Sequence, residues 1–130
     1  MIKPTVLIVD DEADTRSMIT GYFEGRYDCN FIEASDGEEA VNIIKTKPCD
    51  IMLLDIKMPK KNGITVLKEA KEINPNIDII VVSAWTDEDV LEEAYKLGAV
   101  DYAVKPLDLK VLEFKFKKIL EKRGFKVSKI

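Results

Sequence analysis

A chain of 130 residues, 46% apolar and 34% charged, is long enough for one domain with one sizeable core. It has no apolar run near the roughly 20 residues a membrane-spanning helix needs. It also has no histidine, which excludes Ser-His and Cys-His nucleophile pairs and every histidine-ligated metal site. The net charge of −4 hides an asymmetry: residues 1–104 carry −10 and residues 105–130 carry +6. Most of the basic residues of that C-terminal part fall on the last predicted helix, where cations suit the helix dipole. A solvated face is therefore expected there rather than a surface for nucleic acid. Cys29 and Cys49 form no CxxC pair and have no metal-ligand spacing, so both are expected to be core thiols of a cytoplasmic protein.

The first segment, "TVLIV" (5–9), reads as a strand buried on both faces. The residues before it lack a signal peptide's cleavage region. A helix follows, with Met18, Ile19, Tyr22 and Phe23 sharing a face, and then the strand "CNFIEA" (29–34). Ser35-Asp36-Gly37-Glu38 resembles a capping box, with Ser35 as the cap, opening a helix with Ala40, Val41, Ile43 and Ile44 on one side. Pro48 ends it before the strand "IMLL" (51–54). Met58-Pro59 and Gly63 shape the next loop, and Gly63 is expected to start a helix carrying Val66, Leu67, Ala70 and Ile73. Strand "IDIIVVS" (77–83) leads to a second capping pattern, Thr86 to Asp89. The helix it opens presents Val90, Leu91, Ala94 and Tyr95 and stops at Gly98. Strand "VDYAV" (100–104) and a helix bearing Leu109, Leu112, Phe116, Ile119 and Leu120 complete the chain. Strict strand–helix alternation with short connections predicts a doubly wound (βα)5 α/β fold with a five-stranded parallel sheet.

In such a sheet the functional site lies at the carboxyl ends of the strands. Those ends carry Asp10-Asp11, Asp55, Ser83 and Lys105-Pro106, while the end of the second strand is assigned to capping. Three carboxylates at one edge raise one another's pKa values unless a cation intervenes. Hard carboxylate oxygens suit Mg²⁺, with Mn²⁺ as a substitute. Asp55 projects from a central strand as a nucleophile able to form an aspartyl phosphate. Lys105 and Ser83 then neutralise and hydrogen-bond the transferred group, in a reaction that needs mainly positioning and charge compensation.

At these residues the sequence resembles a known family. "VLIVDDE", "LLDIKMPKKNG", "VVSAW" and "AVKP" are similar, in order and spacing, to the signature segments of the response-regulator receiver domain of two-component signalling. The resemblance implies the flavodoxin-like strand order 2-1-3-4-5 and a receiver domain over residues 1–122 followed by a short basic tail, 123–130. It implies that Asp11 binds Mg²⁺ directly and Asp10 mostly through water, with Asp55 and the Lys57 backbone carbonyl completing the metal site. Asp55 corresponds to the phosphoacceptor, Lys105 to the phosphoryl-binding lysine, Ser83 to the switch hydroxyl and Tyr102 to the switch aromatic. The Lys105–Pro106 bond is expected to be cis. The implied donor is a phosphohistidine on a sensor histidine kinase or a histidine phosphotransfer protein. The implied result is a phosphoacceptor switch, catalysing only its own phosphorylation and dephosphorylation, that presents the fourth helix, fifth strand and fifth helix to a downstream protein. No direct nucleic-acid or membrane contact is expected, and the protein is expected to be a monomer or a phosphorylation-dependent dimer. The sequence ends soon after the fifth helix, so no output domain is expected within it, and stand-alone and excised regulators both fit.

Three side chains are individual to this sequence. Lys57 lies two residues past Asp55 and Trp85 two past Ser83. In the family that the sequence resembles, these positions flank the path of the water that hydrolyses the phosphoaspartate, so a long cation and an indole there would obstruct it and give a long-lived phosphorylated form. Phe114 lies nearly opposite the apolar stripe of its helix, which leaves two readings: a partner surface, or a residue covered by the tail "GFKVSKI". Three other functions compete with the switch. A flavodoxin-like FMN protein would need an anion-binding loop where "DDEAD" stands. A Mg²⁺-dependent aspartyl phosphatase would carry a second aspartate where Lys57 stands. A degenerate receiver, acting as a phosphorylation-independent interaction module, would lack reactive residues that are all present here.

Overall fold

The computed structural model describes residues 3–58, 62–84 and 88–126. Five strands alternate with five helices: β1 (Thr5–Val9), α1 (Ala13–Glu24), β2 (Asn30–Ala34), α2 (Gly37–Thr46), β3 (Ile51–Leu54), α3 (Gly63–Ile73), β4 (Asp78–Ser83), α4 (Glu88–Lys96), β5 (Asp101–Val104) and α5 (Leu109–Arg123). The strands form one parallel sheet in the order β2-β1-β3-β4-β5. The doubly wound fold and flavodoxin-like order expected from the sequence are thus present. No helix among the described residues is long and apolar enough to cross a membrane.

Strand side chains alternate between two cores. Leu7, Val9, Met52, Leu54, Ile79 and Val81 pack with α2, α3 and α4 on one face. Val6, Ile8, Ile51, Leu53, Ile80 and Val82 pack with α1 and α5 on the other. Continuous apolar runs in β1, β3 and β4 follow from this two-sided burial, which also explains why none of these strands alternates with polar residues.

Several expectations need correction at the edges. The cap of α2 is Asp36, not Ser35: Asp36 Oδ1 accepts from Glu39 N at 2.9 Å, while Glu39 Oε1 reaches back to Ser35 N at 3.0 Å. The reciprocal box is real but begins one residue later. Met18, Ile73 and Tyr95, grouped with apolar helix faces, are 45%, 38% and 44% exposed. Each sits at the margin of its stripe, where the narrow sheet no longer covers it. The second capping pattern includes Thr86 and Asp87, which lie outside the described residues, as does Pro59.

Two polar clusters fasten α5. Glu113, nearly buried, accepts hydrogen bonds from Tyr22 Oη at 2.7 Å and Tyr27 Oη at 2.5 Å. Burial and the bond to Glu113 push the Tyr27 phenol well above its ordinary value, so it stays a neutral donor. At the far end, Arg123 Nε meets Asp78 Oδ2 at 2.6 Å and Arg123 Nη1 meets Asp50 Oδ1 at 3.3 Å, while Lys122 Nζ meets Asp78 Oδ1 at 3.0 Å. Buried Asp78 at the start of β4 is thereby compensated on both oxygens.

Candidate functional site

Hydrogen bonding between strands continues one residue past the ends of β1, β3 and β5. Asp10 N donates to Ala34 O at 3.2 Å, Asp55 N to Val9 O at 3.0 Å and Lys105 N to Ser83 O at 3.0 Å. The last ordered backbone bonds of the sheet therefore fix the functional residues themselves. Asp10, Asp55 and Ser83 are 2%, 5% and 3% exposed, whereas Asp11 is exposed. Lys105 reaches across this edge: its Nζ lies 2.7 Å from Asp10 Oδ2, 3.0 Å from Asp55 Oδ2 and 3.5 Å from Glu12 Oε1. The Lys105–Pro106 peptide bond is cis.

The two buried carboxylates are held alike. One oxygen of each touches Lys105; the other accepts from a backbone N–H two residues on, Glu12 N to Asp10 Oδ1 at 2.8 Å and Lys57 N to Asp55 Oδ1 at 2.9 Å. This is the local turn that aspartate favours at a loop start. Burial pushes the Asp55 carboxyl above its ordinary value, partly offset by hydrogen bonds from Lys57 N–H and Lys105. Burial works against the Lys105 ammonium, but its bonds to Asp10 and Asp55 outweigh that and hold its pKa above the ordinary value. The lysine is therefore charged throughout the physiological range.

One carboxylate oxygen from each of Asp10, Asp11 and Asp55 lies within 4.8 Å of the others. Three hard, anionic oxygens this close, one of them open to solvent, fit a small divalent cation that retains several waters. They exceed by two the single charge Lys105 supplies.

Other sequence-singled residues fall nearby or apart. The Lys57 side chain is exposed beside the site. Trp85 lies outside the described residues. Tyr102, in β5, is half-buried on the α4 side, with its ring edge-on to Tyr95 at 6.2 Å and Lys115 Nζ 5.7 Å from its centroid. It stands next to the site rather than in it. Phe114 is 59% exposed, with Lys118 Nζ 4.6 Å from its ring. The described part of the tail does not cover it: Phe125 turns onto the core between α1 and α5, and residues 127–130 lie outside the described residues.

Two contributors escaped the sequence reading. Asn62, to which no mechanism was attached, caps α3 through Oδ1 to Ile64 N at 2.8 Å; an Asn directly before a helix-starting Gly was an available signal. Arg16 donates from Nη1 to the Asp10 main-chain oxygen at 2.6 Å. Nothing in the sequence marks a polar residue on the first helix as facing the sheet edge.

Comparisons with known proteins agree with this geometry. Residues 6–117 match the family described as the response regulator receiver domain. The chain is 33% identical over 120 residues to sporulation initiation phosphotransferase F of Bacillus subtilis, covering 92% of this chain and 96% of that protein. It is 34% identical over 118 residues to transcriptional regulatory protein ZraR of Salmonella typhimurium, covering 91% of this chain but only 26% of that one. It thus spans about a quarter of the length of the ZraR relative. Among solved structures, the receiver domain of Francisella response regulator 1452 superposes with a TM-score of 0.84 at 30% identity, covering 93% of this chain and 99% of that one. An acidic cluster bridged by a lysine, on a sheet of this order and with these relatives, places the chain in the response regulator receiver family of two-component signalling.

Proposed function

We propose that the chain is a cytoplasmic phosphorylation-controlled switch in which Asp55 accepts a phosphoryl group. The observation that carries this reading is the Lys105 ammonium placed between Asp10 and Asp55, with Asp11 completing a cluster of oxygens. In the reaction, an Asp55 oxygen attacks the phosphorus of a phosphohistidine on a sensor histidine kinase or histidine phosphotransfer protein. The new P–O bond forms as the P–N bond breaks, and the leaving imidazole nitrogen keeps the electron pair and takes up a proton from solvent. Mg²⁺, held by Asp10, Asp11, Asp55 and the Lys57 carbonyl, supplies charge neutralisation at the phosphoryl oxygens when bound. Lys105 stays beside Asp55 and offsets the added negative charge. The Ser83 hydroxyl donates to a phosphoryl oxygen. Because the protein promotes only its own phosphorylation and dephosphorylation, it serves as a switch rather than as an enzyme with turnover on others.

Occupancy of the site then biases the α4-β5-α5 face. Ser83 ends β4 and Lys105 follows β5 at the site, and Tyr102 links β5 to Tyr95 of α4. Drawing the first two inward favours a reoriented Tyr102 and a partner-binding arrangement. Phe114, exposed on α5 with Lys118 over its ring, belongs to the surface offered to that partner. The receiver unit is taken as residues 1–122, followed by a basic tail, 123–130, whose Arg123 and Phe125 are anchored to the fold.

The test uses Trp85, the single tryptophan. Its fluorescence is followed through titration with Mg²⁺ and then with a small phosphodonor or beryllofluoride, alongside intact-mass measurement. A Mg²⁺-dependent response and the mass of one added phosphoryl group are expected, and Asp55→Asn abolishes both donor effects. Absence of a response and of added mass would favour the phosphorylation-independent interaction module. A second expectation concerns lifetime. Lys57→Ala combined with Trp85→Ala should speed loss of the phosphoryl group several-fold; an unchanged dephosphorylation rate would refute a role for these side chains in shielding it.

A further inference from the structure

We infer that Arg16 is a positioning residue for the metal-binding carboxylates, an inference that rests on the reading of Asp10, Asp11 and Asp55 as a divalent-cation site. Arg16 lies in the first turns of α1. Its Nη1 donates to the main-chain oxygen of Asp10 at 2.6 Å, and its Nε meets Glu33 Oε1 at 3.1 Å. Glu33, on β2, is braced in turn: its Oε2 accepts from Thr20 Oγ1 at 3.1 Å. The Arg16 side chain is 17% exposed. The guanidinium is therefore held from two directions while it grips the peptide unit that joins Asp10 to Asp11.

That peptide unit is where the chain leaves the sheet. Asp10 N still pairs with Ala34 O, but the next residues turn away into α1. The plane of the Asp10–Asp11 peptide sets the direction in which Asp11 projects. Asp11 is exposed, so no surrounding core confines its carboxylate. Fixing the carbonyl of the preceding residue fixes Asp11 within reach of Asp10 and Asp55. A planar fork suits this task because one nitrogen serves the carbonyl while another, at a fixed spacing, stays paired with Glu33, whereas an ammonium offers all its donors from one point on a flexible stem. Outer contacts of this type orient ligands and tune metal affinity.

The sign of the effect separates positioning from charge. As a nearby cation, Arg16 repels a bound metal ion, so its removal would tighten binding if charge were its main effect. As a clamp, its removal weakens binding. Mg²⁺ affinity is measured from amide shifts in two-dimensional NMR spectra, which also report whether each variant is folded. Wild type, Arg16→Ala, Arg16→Lys and Glu33→Gln are compared, with urea unfolding run in parallel. Arg16→Ala is expected to weaken Mg²⁺ binding about tenfold. Arg16→Lys and Glu33→Gln should weaken it by less, because each keeps the positive charge and loses only part of the grip. Unchanged or tighter binding in folded Arg16→Ala overturns the inference, even if its stability falls. If Arg16→Ala does not fold, Arg16→Lys, which leaves the charge balance unchanged, decides: weaker binding supports the clamp and unchanged binding overturns it. Wild type that binds no Mg²⁺ would remove the metal reading and this inference with it. Wild type that binds, with variants that bind equally well, removes only the role of Arg16.

Discussion

Lys105→Ala is expected to lower the unfolding free energy by about 3 kcal/mol in buffer without divalent cations, the lower end of the cost of breaking a buried ion pair. In the intact protein the ammonium lies 2.7 Å from Asp10 and 3.0 Å from Asp55, both almost fully buried. Removing it leaves two adjacent carboxylates with no cation between them. Asp55, whose charged form burial already disfavours, loses one of the two hydrogen bonds that offset this. The exposed Asp11 lets water approach the cluster, which keeps the cost below that of a sealed pair. Added Mg²⁺ should restore much of the loss, since a ligand that binds only the folded state adds about 2.7 kcal/mol at a hundredfold excess over its Kd. The variant should also bind Mg²⁺ more tightly than wild type, because the competing ammonium is gone. Urea unfolding with and without Mg²⁺ reads both effects. The double variant Lys105→Ala, Asp55→Asn should recover part of the lost stability by removing one of the two stranded charges. Equal metal-free stability of wild type and Lys105→Ala would show that Lys105 gives the empty site no net support. Lys105 and Arg16 thus make a matched contrast: both are cations beside the cluster, and their removal moves metal affinity in opposite directions.

The residues that read clearly in the sequence share a physical reason. Asp10, Asp55 and Ser83 each follow or end an apolar run, and a strand buried on both faces leaves such a run as a clear mark. A polar residue at its end therefore has a known place before any coordinates are seen. Lys105 follows the half-exposed edge strand β5 and is marked by the proline after it. Arg16, Glu113 and Asp78 have no such mark. Glu113 sits inside an apolar helical stripe and is buried only because Tyr22 and Tyr27, some 90 residues earlier, supply its two donors. Asp78 opens a buried strand and is tolerated because Lys122 and Arg123 arrive from the end of the chain. Local periodicity cannot report pairs made across such separations. The margins of helices were unclear for a related reason. Met18 and Tyr95 fit a helical stripe, but how much of the stripe the sheet covers depends on the crossing of the two elements.

Gly63→Ala should damage fold and site together, by an amount that the sequence alone understates. A turn followed by a helix start explains a glycine only loosely, and many residues can begin a helix. In the structure a Cβ at position 63 would lie 2.1 Å from the Ile56 Cα and 2.8 Å from its carbonyl carbon, both backbone atoms that have no rotamer to escape into. Gly63 N also donates to Ile56 O at 3.1 Å, so the helix start is bonded to the loop segment it nearly touches. Accommodating even one methyl means separating α3 from the segment 56–57. Overpacking of this kind costs about 1–3 kcal/mol, and contact with backbone puts the expected loss near the top of that range. The displaced segment follows Asp55 directly and supplies the Lys57 N–H that holds Asp55 Oδ1 at 2.9 Å. A shift there loosens the phosphoacceptor's carboxylate and moves the Lys57 carbonyl proposed for the metal. Gly63→Ala should therefore lower the urea midpoint and, in the fraction that stays folded, weaken both Mg²⁺ binding and modification of Asp55 by a small phosphodonor. Asn62→Ala is the control. It removes only the α3 cap, costs about 1 kcal/mol, and should leave metal binding near that of wild type. If Gly63→Ala behaved like Asn62→Ala, with a small loss of stability and an intact site, the close approach of α3 to Ile56 would not be what holds the loop after Asp55 in place.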